Sequence, residues 1–196
     1  MKPIEGFKAE QNSASFPMLP KGLYTAKIMG AKVEGNAPDQ RLIIRLDISE
    51  GEFIGYYSRR YKADQARGSQ YTVKYKGDYA LQVPDKNNLN RQKYEWQYDQ
   101  DARTFSGAIW AIEQSNPGYH WDWNEDGLKG KSVGINVQQG TYNGNPYTRI
   151  GRLESLEEMK AGKVKMMADA KPRGDVQPAQ TAPEVFTKVE DEDIPF

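Results

Sequence analysis

The sequence predicts a mainly β body with one helix, followed by a polar tail without regular structure. Three observations lead there. Arg41–Ile48 alternates cleanly, with Leu42, Ile44, Leu46 and Ile48 on one face and Arg41, Ile43, Arg45 and Asp47 on the other, the pattern of a half-buried strand. Residues 131–139 alternate in the same way through Val133, Ile135 and Val137, and Tyr142-Asn-Gly-Asn145 then supplies a turn that tolerates positive φ before residues 147–153 return as the partner strand. Helical spacing stands out clearly once, in Phe105, Ala108, Ile109 and Ile112, an i, i+3, i+4, i+7 stripe that reads as core packing.

The remaining segments fit around these. Residues 1–19 read as an irregular arm rich in Pro, Gly, Asn and Ser. Strand-like alternation begins at residues 23–33, with Tyr24, Ala26 and Ile28 sharing a face, and Glu34-Gly-Asn-Ala-Pro-Asp39 is a turn cluster. Glu50-Gly51 turns the chain into an expected third strand over residues 53–61. In the stretch 62–100, Tyr71-Thr-Val-Lys-Tyr75 can form a strand, Pro84-Asp-Lys-Asn-Asn88 is a loop, and Tyr94-Glu-Trp-Gln-Tyr98 places aromatics on alternate positions. Asp101 or Thr104 can cap the helix and Asn116-Pro117-Gly118 stops it. Ser155-Leu-Glu-Glu158 has the form of a capping box opening a short helix. Residues 161–189 are expected to be a flexible linker, because the Pro, Ala, Gln and Lys that dominate it cannot bury a core.

Three strands, a helix and a closing hairpin is the element order of an OB-fold-like five-stranded Greek-key barrel, here spanning residues 20–160. The alternative architecture is an open β-sandwich with a packing helix.

Composition narrows the function. The chain of 196 residues has no cysteine and one histidine, His120, so neither a disulfide framework nor a zinc site of the usual kind can form. No signal-peptide pattern or membrane-length apolar run is present, and a reducing cytoplasmic setting is expected. Net charge is zero, but the average hides a division. From Glu184 onward stand five acids and Lys188, a net of −4, so the residues before it carry +4. No nucleophile elbow, P-loop or dinucleotide fingerprint occurs. Asp47 with Glu50 and Glu52, and Glu157 and Glu158 with Lys160, are the local carboxylate groups a metal-dependent nuclease would need. They read as turn chemistry and a solvated helix start. No catalytic residue, cofactor or metal is expected.

A binder of single strands needs something else: aromatic faces for unstacked bases, at roughly 1–3 kcal/mol per base, and cations along the phosphates. Twelve tyrosines and four tryptophans supply the first, interleaved with Lys and Arg. Tyr57, Arg59, Arg60 and Tyr61 form one such run; Lys74, Tyr75 and Lys76 form another. Arg41 and Arg45 line the polar face of the second strand, Trp96 adds an aromatic, and Tyr142, Tyr147 and Arg149 mark the hairpin whose loop often clamps ligands in such barrels.

The final stretch, Glu190-Asp-Glu-Asp-Ile-Pro-Phe196, joins an acidic run to an apolar tip. It resembles the C-terminal peptide of bacterial single-stranded DNA-binding proteins. The body resembles phage or prophage proteins around "LPKGLYTAKI" and "GKSVGINV…YNGNPYTRI". The resemblance implies a protein that coats single-stranded DNA with little sequence preference. It assigns Asp191, Glu192, Asp193, Ile194, Pro195 and Phe196 to docking helicases, nucleases and other replication, recombination or repair proteins. It leaves homo-oligomer formation open. A strand-annealing recombination accessory is the nearest alternative function, ahead of a metal-dependent nuclease and an aromatic carbohydrate-binding module.

Overall fold

The computed structural model describes residues 16–67, 73–89 and 94–172. Its elements run β1 (Gly22–Glu34), β2 (Arg41–Ile48), α1 (Tyr56–Ala66), β3 (Asp78–Gln82), α2 (Glu95–Ser115), a 3-10 turn (Glu125–Leu128), β4 (Ser132–Tyr142), β5 (Asn145–Glu154) and α3 (Leu156–Lys160). The five strands form one antiparallel sheet in the order β3-β2-β1-β4-β5. The sheet is open, with β3 and β5 as its edges.

β1 organises it. Its first half, from Gly22 to Lys27, pairs with β4, and its second half pairs with β2, with a shift of register between Ile28 and Gly30. A bulge of this kind bends a strand and increases its twist, and it lies just past Ala26 and Lys27, where β1 pairs with β2 on one edge and β4 on the other.

The alternation read from the sequence decides the core. Ala26 and Ile28 of β1, Leu42, Ile44, Leu46 and Ile48 of β2, Val133, Ile135 and Val137 of β4, and Ile150 and Leu153 of β5 are all buried on one face. The expected stripe of α2 packs there through Phe105, Ala108, Ile109 and Ile112, and this helix touches β3, β4 and β5. Asn116 ends it as expected, and its side chain does more than stop the helix. Nδ2 donates to the Ile112 and Ser132 carbonyls, both at 2.7 Å, and Oδ1 accepts the Ser132 N–H. The stop signal is thus also the splice between α2 and β4. The N-cap half of the predicted capping box forms: Ser155 Oγ accepts the Glu158 N–H at the start of α3.

Three segments differ from the sequence reading. The third strand expected at residues 53–61 is instead a turn followed by helix α1. Gly55 at φ 69° breaks the extended chain, and the helix start is capped from β2: the buried Asp47 carboxylate accepts N–H groups from Tyr57 (2.9 Å), Ser58 (3.2 Å) and Ile48 (2.9 Å). A carboxylate is the favoured group at a helix N-terminus. The third strand lies later, at Asp78–Gln82. Residues 73–75 of the expected Tyr71–Tyr75 strand are not in a strand, and Tyr71 and Thr72 fall outside the described residues. The alternating aromatics at 94–98 are the start of α2, which begins well before the stripe that revealed it.

The expected flexible linker also contains ordered contacts. Residues 164–170 run along the outer face of β4, where the Asn136 side chain bonds the Lys165 carbonyl and the Met167 N–H, Gln138 Nε2 donates to the Ala168 carbonyl, and the Ala170 N–H donates to the Gln139 carbonyl. Lys21 pairs with Asp169 at 2.8 Å. β4 is consequently buried on both faces. Gly151 has no room for a Cβ because Met167 Sδ occupies the space. Residues 1–15 of the expected arm, and residues 173–196 with the acidic tip, lie outside the described residues.

Replacing Asp47 by Ala leaves the buried Tyr57 N–H unpaired and should lower unfolding free energy by about 2 kcal/mol. Asp47→Asn, which keeps one acceptor oxygen, should lose less. Urea unfolding midpoints at neutral pH check both, and equal midpoints for wild type and Asp47→Ala would refute the capping role.

Candidate nucleic-acid interface

The outer face of β1–β3 is built from residues that point away from the core, and register sets them side by side. Arg45 lies opposite Gly30 and Asp78, Ile43 opposite Lys32 and Ala80, and Arg41 opposite Glu34 and Gln82. Met29, Lys32, Ile43, Arg45 and Asp78 line a shallow groove of about 270 Å³ on this face. Its floor is apolar and its walls carry charge.

Tyr75 joins this face through Arg45. The Arg45 guanidinium sits over the Tyr75 ring at 4.7 Å, a cation–π geometry. Asp78 holds the guanidinium from the other side with two hydrogen bonds, 2.8 and 3.0 Å. That pairing holds the guanidinium charged more firmly than usual. The Tyr75 hydroxyl donates to the Leu46 carbonyl and meets Ser58 Oγ at 3.3 Å. Tyr61 of α1 then packs edge-on against Tyr75, ring centroids 5.6 Å apart. Arg45, Tyr61 and Tyr75, chosen separately from the sequence, are therefore in one cluster. Lys74 and Lys76 flank Tyr75 and are exposed. Arg41 and Lys74 both act electrostatically on Glu34, which Lys32 binds at 2.7 Å. Those lysine contacts draw the Glu34 carboxyl below its ordinary range.

Other expected residues do different work. Tyr57 is only 4 % exposed and packs against Tyr56 and Tyr75, so it offers no face to a ligand. In helix α1 Tyr57 and Tyr61 still share a face, one turn apart, and both rings meet Tyr75; Tyr57 sits in the buried first turn, whereas Tyr61, one turn further along, is half-buried. Arg60 is half-buried, bonding the Tyr56 hydroxyl and lying 3.7 Å from Asp64, while Arg59 is exposed. Trp96 is exposed and stacked on Tyr94 at the start of α2. At the hairpin tip Tyr142 is exposed, Tyr147 packs over Gly140, and Arg149 is held by Gln138 at 3.0 Å. That tip belongs to the edge of the sheet opposite β3. His120 is exposed.

The sequence reading missed a second aromatic group. Phe105, Trp121 and Trp123 meet beside α2, with Phe105 and Trp123 stacked at 5.9 Å and Trp121 tilted against Trp123 at 6.2 Å. Trp110 joins them in one cleft. Its signal was the Trp121-Asp-Trp123 spacing directly after the helix stop.

Burial pushes the Tyr75 phenol up to about 12, partly offset by its contact with Ser58, and burial raises Tyr57 as well. Tyrosines of the unfolded chain ionise near their ordinary value of about 10. Between the two the unfolded state holds fewer protons than the native one, so stability falls as pH rises. This contribution is intact below about pH 10 and gone above about pH 12. Tyr75→Phe should flatten that decline. Urea midpoints across the alkaline range, with native-state phenolate absorbance, check it; parallel declines for both proteins would count against the assignment.

Among the described residues, no helix is long and apolar enough to cross a membrane. No protein-family model matches the chain, and no curated protein sequence matches it.

Proposed function

We propose that the protein binds single-stranded DNA along the outer face of β1–β3 and α1, with little sequence preference. The observation that carries this reading is the Arg45–Tyr75–Tyr61 cluster beside a groove bordered by Lys32, with Arg41 and Lys74 nearby. Against these cations stand two carboxylates, Glu34 and Asp78, each already paired. A polyanion with unstacked bases needs cations along its phosphates and rings on which to stack; this face supplies cations beside the half-buried rings of Tyr61 and Tyr75.

The strand order supports an OB-type body. β3-β2-β1-β4-β5 is the order met in walking round a five-stranded Greek-key barrel from a seam between β3 and β5, and α2, which follows the third strand, touches both of these edges. In such barrels the face of strands 2 and 3 and the loops joining strands 1–2 and 4–5 take up oligonucleotides. Arg41, Arg45, Tyr75 and Tyr61 belong to the first of these places and Tyr142 and Tyr147 to the last. On the same reading, residues 190–196 dock proteins of DNA replication, recombination and repair, their acids drawing the tip to a basic pocket.

Titration with fluorescein-labelled oligo-dT tests the proposal. Tyr61→Ala and Tyr75→Ala should each cost about 1–3 kcal/mol of binding, whereas Tyr57→Phe should bind as wild type. Lys74→Ala should weaken all sequences alike and lower the salt slope by about one. Failure to bind oligo-dT at low ionic strength by a folded sample would overturn the reading. Deleting residues 190–196 should leave oligo-dT binding unchanged or slightly tighter while abolishing capture of a helicase or nuclease partner; loss of oligo-dT binding instead would mean the two roles are wrongly divided.

A further inference from the structure

The cleft beside α2 has chemistry opposite to that of the basic face. Its walls are Phe105, Trp110, Trp121 and Trp123, and it encloses about 310 Å³, continuing into a smaller space of about 180 Å³ that shares Phe105, Trp121 and Trp123. Carboxylates replace lysines at its margin: Glu113 lines the larger space and Glu125 the smaller, and Asp122 stands between the two tryptophans. Glu113 Oε1 accepts the Trp121 N–H at 2.8 Å, which leaves the second oxygen of that carboxylate for a guest. Lys131 is engaged over the Tyr119 ring at 4.4 Å, and among the described residues no Lys or Arg lines either space.

Two features set this cleft apart from ordinary core. Trp123 is 70 % exposed and Trp110 45 %, large apolar areas left in water beside each other. Trp123 also holds φ at 65°, a left-handed conformation that bulky residues rarely adopt and that gathers at binding sites. The indole Nε1 of Trp121 is buried without a partner.

Flat π-faces with carboxylates at the rim suit a cation with a flat face of its own. Guanidinium stacks on indole and binds carboxylate through paired N–H donors, and it sheds water more easily than an ammonium. We propose that this cleft docks an arginine side chain presented by a partner protein. The carboxylates disfavour a phosphate backbone, and equally disfavour the chain's own acidic residues 190–193.

The experiment uses the full chain labelled with ¹⁵N. It has four tryptophans, so four indole N–H signals report on it, each assigned with a Trp→Phe variant. The probe is acetyl-Gly-Arg-Gly-amide, with citrulline and lysine versions as controls. The arginine peptide should shift the signals of Trp110, Trp121 and Trp123 and leave Trp96 in place, with the citrulline peptide about tenfold weaker. Glu113→Gln should remove most of the preference for arginine over citrulline while the rest of the spectrum stays unchanged, and Trp123→Ala should weaken binding about tenfold. No shift with the arginine peptide, or equal shifts with citrulline, overturns the proposal. So do shifts of these three indoles on adding oligo-dT, on diluting the protein, or on deleting residues 190–196, which would assign the cleft to nucleic acid, a second copy or the chain's own end.

Discussion

The arrangement of the basic face depends on one buried carboxylate. Asp47 lies two residues beyond Arg45 on the same outward-facing side of β2, and by accepting the Tyr57 and Ser58 N–H groups it fixes where α1 begins and which way it points. A helix started there turns Tyr57 into the protein, and one turn later presents Tyr61 to Tyr75. Tyr75 in turn lies over Arg45 and reaches back to the Leu46 carbonyl. The path closes on the strand it left. Without the cap, the Tyr61 ring has no fixed relation to Arg45, because α1 is polar along most of its length and buries only its first two residues. Packing alone would hold such a helix weakly.

This dependence explains what the sequence could and could not reveal. β2, the β4–β5 hairpin, the α2 stripe and the Asn116 stop are specified by neighbours a few residues apart, and all were legible. Helix α1 was not. Its first residues are Tyr56 and Tyr57, types common in strands, and the group that starts it is nine residues upstream on another element. The segment 164–170 was hidden for a related reason. It is held largely through its backbone by the side chains of Asn136 and Gln138, so its own composition carries little trace of being bound. In the site, Arg45, Tyr61 and Tyr75 could be chosen by residue type, but separating Tyr61 from Tyr57 required knowing that the first turn of α1 is buried beneath the Asp47 cap and the next turn is not.

Charge is divided within the body as well as between body and tail. The outer face of β1–β3 gathers Lys32, Arg41, Arg45 and Lys74, while the cleft beside α2 gathers Glu113, Asp122 and Glu125. A chain of zero net charge thus presents two surfaces of opposite charge, one beside the half-buried Tyr61 and Tyr75 and the other beside the exposed Trp110 and Trp123. The aromatics give contact area in both places, and the sign of the neighbouring charges decides what that area accepts.

The outer face of the sheet is itself split. On the β4–β5 half, the chain lays residues 164–170 over Asn136 and Gln138, and the arginines there are already engaged: Arg149 with Gln138, and Arg152 with Glu154 at 2.7 Å. Among the described residues no such strap crosses the β1–β3 half, where Arg45 is held by Asp78 and Lys32 by Glu34. A polyanion approaching the first half would have to displace the bonds that tie residues 165–170 to Asn136, Gln138 and Gln139, whereas among the described residues the second half sets only side-chain ion pairs against it. Each bond lost without replacement costs about 1 kcal/mol or more, so even equal numbers of cations on the two halves would leave the β1–β3 half preferred. On the proposed reading the strap would act on specificity of place, removing half of the sheet from competition and directing a bound strand toward Tyr75 and Tyr61.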